Sequence, residues 1–126
     1  MRNDLPAGVA AAQIVHAAGE SSPGNLPEGT FAVVLGVSNE SVLYDLAERL
    51  QRADIKHVTI VEVDAPYTDQ MMAIGLVPAP RSVGRRVLSS LPLYRGPVSA
   101  GDPARDGSKP APAPFGGVAQ SQSART

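Results

Sequence analysis

Two short stretches carry the side chains best suited to chemistry. In the first, Glu62-Val63-Asp64-Ala65-Pro66-Tyr67-Thr68 closes an apolar run. Asp64 can position water or a hydroxyl as a general base. It can equally cap the turn by accepting backbone N–H bonds. Thr68 can donate a hydrogen bond to a developing oxyanion or close the turn with its own hydroxyl. Tyr67 offers a ring on which a nucleobase can stack. Glu62 stands two residues before Asp64, so both carboxylates can share a sheet face and raise one pKa; otherwise Glu62 is a solvated strand residue. In the second stretch, Gln13 and His16 lie three apart and share a helix face. They either shape a pocket or bond to nearby loop backbone. No second ligand stands at metal spacing from His16. Arg81, Arg85, Arg86 and Arg95 are half of the eight basic residues in 1–95. Arg81 and Arg85, beside a helix start at Ser82, can gather phosphate contacts or form a solvated face.

The elements that must position these groups can be read from pattern. Gly8 to Ala18 reads as a helix, with Pro6 in its first turn and Gly19 as its stop. Its five alanines make one side thin, so it can lie close to a sheet. Thr30 to Val37 (TFAVVLGV) reads as a strand buried on both faces. Ser38 or Asn39 caps a helix whose apolar positions are Val42, Leu43, Leu46, Ala47 and Leu50. His57 to Val63 is a β-branched strand. Met71 to Val77 is another, weakened by Gly75 and ended by Pro78. Ser82 caps a last helix with Val83, Val87, Leu88 and Leu91 apolar. The order helix, strand, helix, strand, strand, helix predicts a layered α/β domain. Residues 30–63 have the length of a right-handed parallel crossover, and the short turn after it makes the last two strands antiparallel neighbours.

Composition limits the function classes. The chain has 126 residues, 43% of them apolar, a formal net charge of −1 and no cysteine. One domain fits this length. The charge balance argues against a broad nucleic-acid sponge. The lack of cysteine removes disulfides, thiolate catalysis and thiolate metal sites. Two histidines, His16 and His57, leave little for a histidine-rich metal site. No apolar run reaches the roughly 20 residues of a bilayer span, and Asn3, Asp4 and Pro6 interrupt any signal-peptide pattern. No membrane partner and a cytoplasmic location are expected. The fold is expected in 1–95. Residues 96–126 hold five prolines and five glycines and only Val98, Phe115 and Val118 as large apolar groups. Those groups cannot offset an ordering cost of roughly 1–2 kcal/mol per residue, so a disordered tail is expected. A proline-rich ligand for a partner domain is the other reading.

Four segments in order resemble the type-2 peptidyl-tRNA hydrolase family, over about residues 3–94. Asp4-Leu5-Pro6-Ala7-Gly8 running into Ala11-Ala12-Gln13-Ile14-Val15-His16-Ala17-Ala18 is similar to the family's AAQ…HA helix. Val33-Val34-Leu35 precedes a helix with Leu43, Leu46 and Ala47. Asp64-Ala65-Pro66-Tyr67-Thr68 resembles the family's Asp-Ala-Gly-Arg-Thr loop, and Met72-Ala73-Ile74-Gly75 with Pro78 its closing strand. The resemblance implies a small three-layer α/β domain with a mixed, mostly parallel sheet of about four strands and helices on both faces. It implies cleavage of the ester between a peptide and tRNA, a tRNA partner, and no metal or cofactor. Asp64 would orient or activate the nucleophile, Thr68 would hold the ester, and Gln13 and His16 would shape the pocket. Tyr67, Arg81 and Arg85 remain candidate substrate contacts.

The departures are specific. The family's functional lysine before the AAQ segment is absent; the only lysines are Lys56 and Lys109. Pro66 and Tyr67 stand where the family has Gly and Arg. The family's central first strand has only Met1 to Leu5 to form it, so that strand is expected to be vestigial or the chain to begin late. Exposed strand edges would then invite self-association, and a homodimer is an open alternative. The missing lysine favours a rival, a non-catalytic tRNA- or protein-binding module with the same fold. A small-molecule-binding domain is a third reading.

Overall fold

The computed structural model describes residues 1–97, and the expected tail lies outside the described residues from residue 98 on. The first helix, α1, runs Ala7–Ser21. It passes through Gly19 and ends three residues beyond the expected Ala18, where the Ser21 hydroxyl donates to the Ala17 carbonyl (2.8 Å). Ala10, Gln13, Ala17 and Ser21 form its buried face, at helical spacing. The second helix, α2, spans Glu40–Arg52 and starts where expected: Asn39 accepts the Val42 N–H (3.1 Å). Leu43, Leu46 and Leu50 are its buried face. The third helix, α3, is Arg81–Leu88. Its cap residue is Pro80, with no side-chain cap bond, so Ser82 does not cap it. Pro80 presets the φ that a helix entry needs.

Two strands form the hydrogen-bonded sheet, β1 (His57–Val61) and β2 (Met71–Leu76), antiparallel as expected. His57 pairs with Leu76 and Ile60 with Ala73; a bulge then pairs Val61 with Met71. Mixed α/β structure is present, but among the described residues the mostly parallel sheet of about four strands is not. Among the described residues the apolar run 30–37 pairs only over 34–37, bridging Leu35 with Leu93 (antiparallel) and Val37 with Arg2 (parallel), through backbone bonds of Val34 and Gly36 to Tyr94 and Pro92 and of Leu35 and Val37 to Met1 and Asn3. Each partner is short. Met1–Asn3 is cut off by the turn into α1, and 92–94 follows directly on the last helix. A ladder needs repeated partners, so the run stays extended without becoming a strand. Nor is it buried on both faces: Phe31 is 84% and Val33 61% exposed. The expected parallel crossover onto β1 is absent, because the parallel partner of this run is Arg2.

The layers are nonetheless clear. α1 packs over β1 and β2 through Ala10, Ala17, Ile60, Met72 and Ala73. On the other face, Leu43, Leu46, Leu50, Ile55 and Met71 gather Val87 and Leu88 of α3, with Ile74 and Leu76 of β2. Residues 73 and 75 of β2 therefore face α1 while 74 and 76 face α2 and α3, as a pleated strand requires. Gly75 is the point of closest approach. A Cβ there would run into the Ala17 carbonyl oxygen and lie 2.8 Å from the Ser21 hydroxyl. The glycine that weakens β2 as a strand is thus what lets the alanine face of α1 reach the sheet.

A buried arginine ties the N-terminal segment to β2. Arg2 is 6% exposed. Its Nε and Nη2 fork onto the Asp4 carboxylate (2.9 and 3.1 Å), and Nη1 donates to Gln70 Oε1 (2.9 Å) and to the Met71 carbonyl (3.2 Å). Such a paired, multiply bonded guanidinium is the form in which a charge can be buried.

Candidate functional site

β1 leads into a compact loop, 62–70, whose shape follows from backbone bonds. Glu62 N–H donates to the Gln70 carbonyl (2.9 Å) and Asp69 N–H to the Glu62 carbonyl (2.7 Å). Inside that closure Tyr67 N–H donates to the Asp64 carbonyl (3.1 Å), and Gln70 N–H to the Tyr67 carbonyl (3.0 Å). Asp69 takes φ 64°, a conformation in which aspartate is among the tolerated non-glycine residues. The loop is therefore a built turn, and its side chains have defined places.

Glu62 fastens this loop to α1. Its Oε2 accepts from Gln13 Nε2 (3.1 Å). Its Oε1 accepts from the N–H groups of Val63 (2.8 Å) and Asp64 (3.3 Å). The Val63 and Asp64 amides, in that order, hold the Glu62 carboxyl below the usual carboxylate range; desolvation opposes them, and Gln13 and the charge of His16 assist. The ionised carboxylate also fixes the Gln13 amide. Nε2 must face Glu62, which turns Oε1 away; that oxygen is buried without a partner among the described residues. Gln13 is thereby held as an acceptor on a helix otherwise faced with alanine.

The predicted residues divide into two groups. Gln13, His16, Asp64 and Tyr67 come together on the α1 side. Tyr67 packs against the core under α1, and His16 is exposed one turn beyond Gln13. Asp64 is exposed, and its carboxylate makes no hydrogen bond among the described residues. Thr68 sits on the same loop, also exposed, and its hydroxyl makes no hydrogen bond among the described residues, so the turn is closed by backbone. Arg81 and Arg85 are placed apart. They are exposed residues of α3, whose Val87 and Leu88 pack with α2 on the opposite face of the sheet. The guanidinium that does reach the loop is Arg2, and it is committed to Asp4.

Chemically, the loop and α1 present an acceptor-rich surface. The free Asp64 carboxylate can orient a water or hydroxyl by accepting its proton. Among the described residues no group of three His, Cys, Asp or Glu side chains is placed to hold a metal ion, and no helix is long and apolar enough to cross a membrane.

Glu62 is the coupling residue that sequence reasoning undervalued. Its spacing to Asp64 was visible, but nothing local couples it to Gln13, 49 positions away. Comparison of the chain with protein-family models, with curated proteins and with solved structures finds no match.

Proposed function

We propose that this protein hydrolyses the ester bond of peptidyl-tRNA, releasing peptide and free tRNA. One observation carries the reading: an unshared, exposed Asp64 carboxylate on a loop that Glu62 pins to the Gln13/His16 face of α1. Asp64 orients and activates the attacking water. Thr68 donates to the ester oxygen, Gln13 and His16 wall the pocket, and Tyr67 stacks on the terminal base. On this reading the extended pieces Met1–Asn3 and 34–37 are reduced strands of the four-stranded sheet implied by the resemblance. The substrate places the protein in the cytoplasm, and no cofactor takes part.

A second reading has its own observation. Arg81 and Arg85 lie on the far face of the sheet, and Arg2 is committed to Asp4. Substrate phosphates therefore meet no free guanidinium of Arg81, Arg85 or Arg2 at the loop. This favours a non-catalytic binding module that keeps the fold without the chemistry. On the hydrolase reading the missing lysine slows turnover by about 10²–10³, the usual cost of losing one oxyanion donor.

Release of labelled peptide from peptidyl-tRNA, with EDTA present, separates the readings. Turnover by the wild-type chain is expected, and its abolition in Asp64→Asn with an unchanged thermal midpoint. Binding of tRNA without turnover selects the binding module. Neither binding nor turnover removes both.

A further inference from the structure

β1 has one strand neighbour, β2, and its other edge is unpaired among the described residues. Lys56 and Glu62 turn their backbone groups toward β2: the Lys56 carbonyl accepts from Val77 N–H, and Glu62 N–H donates to Gln70. By the alternation of an antiparallel ladder, His57, Thr59 and Val61 turn theirs outward. The side chains alternate as well. Val58 and Ile60 pack under α1, so Thr59, Val61 and Val63 lie on the other face of β1, where they are exposed, Val63 at 74%. An unpaired edge and an uncovered apolar strip thus coincide on one strand.

We propose that this edge pairs with the same edge of a second copy of the chain, antiparallel and centred on Ile60. The occupant follows from charge. The strand runs from Lys56 to Asp64, basic at one end and acidic at the other. An antiparallel copy sets opposite charges together at both ends; a parallel copy would set like charges together. The register follows from the same groups. Outward backbone groups meet only if odd-numbered residues face odd-numbered ones. Centred on Ile60, Thr59 faces Val61, His57 faces Val63 and Lys56 faces Asp64, each pair occurring twice, as two-fold symmetry demands. Centring on Thr59 instead puts Lys56 against Glu62, whose carboxylate is already bonded to Gln13, Val63 and Asp64, and sets Asp54 against Asp64. Centring on Val61 sets Lys56 against Pro66. Of the three, the Ile60 register matches Lys56 with a carboxylate that has no hydrogen-bond partner among the described residues, and it joins the Thr59 and Val61 side chains of both copies into one strip.

The consequence reaches the loop. Lys56 of one copy stands beside Asp64 of the other, so each site gains an ammonium group from the neighbouring copy. The pairing stands independently of the ester-hydrolysis reading, and its test uses no substrate. Sedimentation velocity of the full chain across a concentration series is expected to show a monomer–dimer equilibrium that weakens with salt. Lys56→Glu and Asp64→Lys each replace two attractions by two repulsions, and each is expected to raise the dimer Kd by about ten-fold. Mixed in equal amounts, the two variants should dimerise with each other, because opposite charges then face again at both ends. Both positions are exposed, and circular dichroism of each variant confirms that it is folded. A chain that stays monomeric at every concentration overturns the proposal. So does a dimer indifferent to both variants, or a mixture of the two that fails to associate.

Discussion

The two faces of the small sheet are held by different physics. On the α2 side, leucines fill volume: Leu43 and Leu50 are wholly buried, with Ile55 and Met71 around them. On the α1 side, small residues bring backbone against backbone, with Gly75 beneath Ala17 and Ser21. Polar side chains then couple the helix to the loop through Glu62 and Gln13. The first face reaches the loop's exit through the Met71 N–H, which donates to Glu40 Oε2 (2.8 Å), and a leucine lost from it is expected to leave the loop in place. The second sets the distance between Gln13 and the Asp64 loop, so its tolerance is narrow. The α1 side buries volume too, with Leu5 and Met72 fully buried, but it also carries the Gln13–Glu62 coupling, so changes on the α2 side are expected to move stability more than site geometry.

The largest expected effect tests the volume-filled side. Leu50→Ala should lower unfolding free energy by about 2–5 kcal/mol, the lost transfer energy plus the cavity left behind. Urea unfolding measures it. If the faces are separable, the amide signals of Tyr67 and Gln70 should hold their positions while stability falls. Movement of those signals would break the comparison.

Next comes Gly75→Ala. The added methyl meets a carbonyl oxygen of a well-packed helix, which cannot swing aside as a flexible side chain would. A cost of about 1–3 kcal/mol is expected, within the usual range for overpacking. Although smaller than the leucine effect, it should displace α1 and with it Gln13. Shifted Gln13 and Glu62 signals are the expected readout, and an unperturbed pair would show that α1 approaches the sheet less closely than described.

Which parts of this were legible in the sequence follows from the range of the forces involved. α2 was legible almost entirely, because the Asn39 cap and the Leu43, Leu46, Leu50 spacing are local signals. The β1–β2 hairpin was legible for the same reason: two β-branched or apolar runs and a short turn. The alanine face of α1 correctly indicated close packing, although Gly19 misplaced its end. The run 30–37 was misread because strong apolar character says nothing of whether partners exist. Its ladder depends on residues 1–3 and 92–94, remote in sequence and too few. Ser82 was misread because Pro80 gives an equally good entry. Of the candidate site, the union of Gln13 with the Asp64 loop was anticipated only through the family resemblance. Its physical cause, the Glu62 carboxylate, could not be, since hydrogen bonds between distant residues leave no periodicity. The removal of Arg81 and Arg85 to the other face likewise depends on how α3 packs, which spacing alone does not fix.

The smallest expected effect sharpens the polar half of the comparison. Glu62 is ionised more readily in the folded chain than when unfolded, first because the Val63 and Asp64 amides donate to it, and further through Gln13 and His16. A carboxyl whose folded pKa is depressed contributes stability above its unfolded pKa of about 4.3. That contribution is lost as pH falls through the still lower folded value. Glu62→Gln keeps the shape and removes the charge. At pH 7 it should cost under about 1 kcal/mol, because a partly solvated hydrogen-bonded carboxylate has a modest net worth. The difference between wild type and variant should then shrink steadily below pH 4.5 and vanish once wild-type Glu62 is protonated. The variant amide can accept from Gln13 Nε2 through its oxygen or donate to Gln13 Oε1 through its nitrogen, so the orientation of the Gln13 amide is no longer fixed. Two Gln13 side-chain environments in place of one are therefore expected in the variant near neutral pH, and in wild type only in acid. A stability difference that stays constant from pH 7 to pH 3 would mean that the loop is held by its backbone bonds alone.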